Sequence, residues 1–275
     1  MGSTTTGTEH YVARQEGGRV YCYQVGRGEP LVFISKGSGR SFRLVTDMFA
    51  PHFTCYVLDA PGYDRSDIPR SWLATKRWSV PDYTEAVLEV LDRVGITQCS
   101  FVGDHTGSMI VLDIAANHPG RVKKLVLDCL PYWDLRKGEI VWEKFYKPQN
   151  SDTNSYDVPV IPLLLPWDEA KEREPGLTLE EWKILDELNR RDRRWHRVHQ
   201  EANAHFDTES LGPRVKAPTL LIYGEGDPTL RGAERANEAI ENSIIKVLRG
   251  TSGSAHESQP EEFAKDAVDF LLDRH

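Results

Sequence analysis

With 275 residues, 39% of them apolar and 28% charged, the chain is long enough to bury the core of one full α/β domain. A formal charge of −8 at neutral pH disfavours nucleic acid and anionic membrane as partners. No apolar run reaches the roughly 18 residues that a spanning helix needs, and the N-terminus lacks a secretory pattern, so no membrane partner and a cytoplasmic location are expected. Met1 to Thr6 formally fit a myristoylation consensus but read as a flexible start. The four cysteines, Cys22, Cys55, Cys99 and Cys129, are widely spaced and form neither a C-x-x-C nor a finger pattern. They read as buried free thiols.

Tyr11 to Ala13 and Arg19 to Val25 read as an opening β-hairpin turned at Gly17-Gly18. Leu31 to Ser35 is a short strand that breaks into Lys36-Gly37-Ser38-Gly39, and Cys55 to Asp59 is the next. Tyr83, Val87, Leu91 and Val94 recur at helical spacing, with Gly95 as the stop. A strand from Cys99 to Val102 runs into Gly103-Asp104-His105-Thr106-Gly107, then into an apolar helix from Met109 to Ala116 and a strand from Lys123 to Asp128. Apolar runs alternating with amphipathic helices predict a parallel sheet covered on both faces.

Between about Pro131 and Pro213 the rhythm changes, and five of the seven tryptophans fall there. Thr178 and Glu181 make a capping-box pattern, and Trp182, Leu185, Leu188, Trp195 and His199 fall near one helical face. Strand patterning resumes at Pro218 to Tyr223 and Ile244 to Leu248, and a last helix carries Phe263, Ala267, Phe270 and Leu271 on one side. The expected organisation is a core of residues 1–130 and 214–275 with a helical lid inserted over 131–213.

The Gly103–Gly107 stretch resembles the G-x-S-x-G nucleophile elbow of α/β-hydrolases, with His105 where the nucleophile stands. Three more landmarks follow the order of that family. Asp59-Ala60-Pro61-Gly62-Tyr63-Asp64-Arg65-Ser66 resembles its D-x-x-G-x-G-x-S turn, departing from it at Asp64. Gly224-Glu225-Gly226-Asp227-Pro228 and Ala255-His256 ahead of Pro260-Glu261-Glu262-Phe263 resemble its acid and histidine positions. The resemblance implies an α/β-hydrolase fold: a mostly parallel, eight-stranded-type sheet with an inserted helical lid. It implies His256 as the general base oriented by Asp227, with Asp128 as the alternative acid that some lidded members use. It also implies an oxyanion hole from the amides of Thr106 and Gly37.

His105 then has three roles open to it: nucleophile, base on water, or hydrogen-bond donor. A neighbouring His256 is expected to depress the pKa of both imidazoles. Asp104 is set aside as a nucleophile because choosing it spoils the glycine spacing, and Ser108 should face helix packing. Lys36 stands where it either adds positive charge to the mouth or is simply solvated. His196, His199 and His205 lack the i, i+4 spacing of a zinc helix and read as lid packing or pocket lining, so no metal and no cofactor are expected.

The leading expectation is a cofactor-free hydrolase for a carbonyl-bearing, aromatic or hydrophobic small molecule, cleaving an ester, an activated acyl group or a C–C bond. Alternatives are cofactor-free oxygen chemistry on the same fold, a non-hydrolytic ligand-binding pseudo-hydrolase, and an interaction protein recognised through the lid. The oligomeric state is left open.

Overall fold

A computed structural model describes residues 7–71, 78–146, 167–173, 178–180, 182–183, 198–251 and 253–274. Its eight strands are β1 (Thr8–Ala13), β2 (Arg19–Gly26), β3 (Glu29–Ile34), β4 (Phe53–Leu58), β5 (Cys99–Asp104), β6 (Val122–Asp128), β7 (Thr219–Gly224) and β8 (Ser243–Leu248). They form one sheet in the order β1-β2-β4-β3-β5-β6-β7-β8. β2 runs antiparallel to both β1 and β4, and every other pair is parallel. The hairpin turns at Gly17 and Gly18, both at positive φ, as the glycine pair predicts.

Central strands β5 and β7 are buried along their whole length, which is why they read as unbroken apolar runs rather than as alternations. Side chains of successive residues still point to opposite faces. Val32, Ile34, Phe101, Leu125, Leu127 and Leu221 join one core layer. Their neighbours Phe33, Val102, Val126, Leu220 and Ile222 join the other, with Phe42, Phe49 and Phe263.

The helices are α1 (Thr46–Phe49), α2 (Val80–Arg93), α3 (Thr106–Asn117), α4 (Leu135–Val141), α5 (Trp167–Arg173), α6 (Ala233–Ala239), α7 (Ala255–Ser258) and α8 (Pro260–Leu271). Gly95, at φ 78, follows α2 where a helix stop was read. α3 is buried from Thr106 through Ala116, so it is a core helix without a polar face. α8 buries Phe263, Ala267, Phe270 and Leu271, the expected stripe.

Within 131–213, α4, α5 and a helical stretch over 198–204 are described, and the Trp167 and Trp182 rings meet at 6.3 Å. Glu181, Leu185, Leu188, Trp195 and His196 of the sequence reading lie outside the described residues, as do Met1 to Thr6. No helix among the described residues is long and apolar enough to cross a membrane. All four cysteines are free and buried.

Candidate active site

β5 and α3 extend toward each other beyond the boundaries read from sequence. β5 continues to Asp104 and α3 begins at Thr106, leaving His105 alone at the junction. Its backbone is strained, at φ 47 and ψ −108. The flanking glycines are sterically required. A Cβ on Gly107 would lie 1.7 Å from the Ile34 carbonyl oxygen, and one on Gly103 2.7 Å from the Ser108 backbone. Ser108 Oγ donates to the carbonyls of Gly103 (2.8 Å) and Asp128 (2.9 Å), so it is spent on packing as expected.

β5 and β6 set Asp104 and Asp128 side by side in register. α7 then brings His256 onto Asp128. His256 Nδ1 lies 2.7 Å from Asp128 Oδ2, and the amides of His256 (3.1 Å) and Ala255 (3.2 Å) donate to the same carboxylate. Both side chains are fully buried. The expected pairing of His256 with Asp227 is therefore corrected: Asp128, the alternative acid, holds His256, because strand register and the start of α7 place it there. Burial opposes charge on His256, but the bond to Asp128 and the fields of Asp104, Asp128 and Glu257 outweigh it and raise its pKa. His256 Nε2 has no hydrogen-bond partner among the described residues.

Asp227 faces His105 instead, with its Oδ2 3.0 Å from His105 Nε2. Its other oxygen accepts from Thr229 N (2.8 Å) and Oγ1 (2.6 Å). Asp104 Oδ1 takes the opposite ring nitrogen, His105 Nδ1, at 2.7 Å, and also accepts from Ser254 Oγ at 3.0 Å. Burial disfavours charge on His105, yet Asp104 and then Asp227 raise its pKa to about 10. Burial likewise works against the Asp104 carboxylate, but His105 and Lys36 hold its pKa far below the ordinary range. The expected mutual depression of the two histidines is thus overturned, since each faces carboxylates more closely than it faces the other. His105 keeps 23% of its side chain exposed, against 4% for Asp227.

Thr106 N–H opens α3, so it has no acceptor within the helix and is free for a ligand oxygen. Gly37 is not in that state. Its amide donates to Ser35 Oγ at 3.0 Å, because the Ser35 side chain folds back beneath the loop to reach Ser38 O as well. Lys36 is exposed at the mouth. The protein around it opposes its charge, but Asp104, Glu257, Asp128 and Asp227 prevail and raise its pKa.

In the turn after β4, Arg65 grips Asp59 through Nε (2.7 Å) and a second nitrogen (3.1 Å). Asp64 stands at φ 44, the conformation that a glycine would otherwise supply, and accepts from Ser38 Oγ (2.8 Å) and Arg40 Nε (2.7 Å). From the helical stretch over 198–204, His199 Nε2 meets Thr106 Oγ1, and Asn203 Nδ2 donates to the same oxygen at 2.6 Å. Rings of Tyr63 and Tyr83 flank His199 at 5.5 and 6.1 Å. His205 is elsewhere, on Glu201 O and near Glu139.

Sequence reasoning read Cys129 only as a buried thiol and gave Ser254 and Asn203 no role in the site. Cys129 has φ 52, directly after Asp128. Its Sγ, a His105 ring nitrogen and an Asp227 oxygen all lie within 4.8 Å of one another. Burial, with Asp128 and Asp227, raises its thiol pKa far above the ordinary value. Neither periodicity nor motif spacing signals such a residue.

A family model described as alpha/beta hydrolase fold matches residues 35–263. The provisionally named carbamate hydrolase RutD of Pseudomonas savastanoi pv. phaseolicola is 26% identical over 260 residues, covering 88% of this chain and 93% of that protein. Epoxide hydrolase 1 of Caenorhabditis elegans is 21% identical over 281 residues, covering 92% and 68%. Among solved structures, the enol-lactonase from Burkholderia xenovorans superposes with a TM-score of 0.73 at 20% identity, over 96% of this chain and all of that one.

Proposed function

The chain belongs to the α/β-hydrolase fold family, and we propose that it hydrolyses a carbonyl-bearing small molecule with His256 as the base and His105 as a fixed positive charge. The observation that carries this reading is the contrast between the two imidazoles. His256 has Nδ1 fixed by Asp128 and Nε2 without a partner. That is the tautomer and free lone pair a general base requires. His105 has a carboxylate on each ring nitrogen, so both nitrogens carry protons and neither lone pair is free to attack.

In this scheme His256 Nε2 takes a proton from water as the water oxygen bonds to the carbonyl carbon. Asp128 stabilises the resulting imidazolium. The developing oxyanion is met by the Thr106 N–H and by the positive charge of His105. Collapse breaks the bond to the leaving group, which receives its proton from His256. Substrate approaches over the exposed side of His105. The 131–213 insert serves as the lid, a reading supported by the grip of His199 and Asn203 on Thr106. Its tryptophans, with Tyr63 and Tyr83, favour an aromatic or hydrophobic substrate.

A panel of aryl esters, lactones and carbamates, followed by intact-mass analysis during a single turnover, tests the scheme. The expected result is turnover with no acyl adduct on the wild type, and an adduct at residue 105 in His105→Ser. An acyl adduct on wild-type His105 makes it the nucleophile and overturns its electrostatic role. Tight binding of the panel with no turnover replaces the enzyme by a ligand-binding protein.

A further inference from the structure

We propose that His105, Cys129 and Asp227 form a binding site for a single zinc-class divalent cation. The site shares His105 with the hydrolytic centre proposed above but goes beyond that reading and stands without it. Imidazole nitrogen, cysteine sulfur and carboxylate oxygen are the three donor types that zinc takes. Here one of each converges, all within 4.8 Å of one another. Around a tetrahedral zinc, with bonds of about 2.0–2.3 Å, ligand atoms stand roughly 3.3–3.7 Å apart. The His105–Asp227 edge is already 3.0 Å, so binding asks chiefly for a small inward movement of the thiol.

The surroundings of these residues are those of ligands. His105 Nδ1 is held by Asp104 at 2.7 Å, which leaves Nε2 as the coordinating atom and fixes the ring. The oxygen of Asp227 that does not face His105 is anchored by Thr229 N and Oγ1. Cys129 sits on strained backbone, its amide bonded to Ile222 O at 2.8 Å. Its Sγ lies 4.0 Å from Gly253 O and is also met by the Gly224 backbone amide. The hydrolytic scheme gives this cysteine no work.

Buried carboxylates of Asp104, Asp128 and Asp227 make the strand ends a cation-favouring pocket. The partly exposed side of His105 leaves the fourth position for water or a substrate oxygen. A second group, Asp104, Asp128 and His256, lies equally close together. It is a poorer site, because the Asp128 oxygens already take three N–H donors. On binding, the cation takes the place of the proton between His105 and Asp227 and of the thiol proton of Cys129, releasing both to solvent.

The test uses chelator-treated full-length protein, with Zn²⁺ in equilibrium dialysis and Co²⁺ in absorption spectroscopy. The expected result is one zinc per chain and a near-ultraviolet thiolate-to-cobalt band in the unmodified protein. Cys129→Ser abolishes the band and weakens zinc at least tenfold, and Asp104→Asn weakens zinc about 10–100-fold by loosening the His105 ring and removing a nearby carboxylate. Absence of stoichiometric zinc, or a cobalt complex without the thiolate band, overturns the site. The band is read on wild-type protein, so that result stands even if Cys129→Ser does not fold. Ester hydrolysis by the chelator-treated protein is measured alongside. Hydrolysis without zinc binding removes the cation site alone, and zinc binding without any hydrolysis removes the hydrolytic reading alone.

Discussion

Replacing His256 by alanine lowers kcat/KM for an aryl ester about 10²–10⁴-fold, the contribution of a positioned general base. The loss comes from chemistry rather than binding, so kcat falls and KM moves little. The side chain is also structural. It is fully buried, 4.6 Å from the Phe42 ring and 5.8 Å from Phe263. Its removal leaves the Asp128 carboxylate with only two amide donors, and breaking a buried pair of this kind destabilises by about 3–5 kcal/mol. Thermal melts therefore accompany the kinetics, run below the melting point of the variant. A folded His256→Ala protein with activity within tenfold of wild type moves the base to another residue.

Gly107→Ala produces the largest loss of stability expected from any single methyl in the elbow. The added carbon would stand 1.7 Å from Ile34 O and 2.5 Å from its carbonyl carbon, both backbone atoms of β3. Neither β3 nor the buried α3 can withdraw without disturbing the central sheet, so the substitution costs about 3 kcal/mol or more. For a chain of this size that lowers Tm by roughly 6–12 °C. Two controls separate the clash from other effects. Gly95→Ala, at φ 78 with nothing within 4 Å, carries backbone strain alone, about 1–2 kcal/mol. Gly120→Ala, in open space without positive φ, leaves Tm near that of the parent. A Gly107→Ala melt no lower than that of Gly120→Ala shows that the elbow has room the structure denies it.

Much of this architecture is legible in the sequence because the strands differ in what surrounds them. β5 and β7 lie between two helical layers, so their apolar runs stand out, and Gly103 and Gly107 bracket a junction that only small residues permit. The hairpin and α2 announce themselves through Gly17-Gly18 and Gly95. Pairing within the site was not legible in the same way. Asp128 ends β6 and Asp227 follows the end of β7 by three residues, and local pattern favours Asp227. The choice is made by lateral register, which sets Asp104 beside Asp128, and by where α7 begins, which delivers His256 and two amides to Asp128. Gly37 was misassigned because a side chain, Ser35 Oγ, claims its amide. Cys129 was read only as a buried thiol because its positive φ leaves no periodic trace in the sequence. Asp64 illustrates the converse: a departure from the glycine of the motif that the backbone still accommodates at φ 44 while the carboxylate gains Ser38 and Arg40.

The assignment of His256 to Asp128, and of His105 to Asp227, is tested most directly by kcat/KM–pH profiles of wild type, Asp128→Asn and Asp227→Asn. His256 must be neutral to accept a proton, and its pKa is raised by Asp128, so wild-type activity rises with pH through a midpoint above the ordinary histidine value of about 6.5. Asp128→Asn should lower activity about 10³–10⁴-fold and carry the residual limb to lower pH, since the carboxylate that favours the charged imidazole is gone. Asp227→Asn should keep that limb in place and lose roughly tenfold, the scale of a charge-assisted contact at His105. A limb that stays put in Asp128→Asn but shifts in Asp227→Asn would return His256 to Asp227 and undo the arrangement of the site described here.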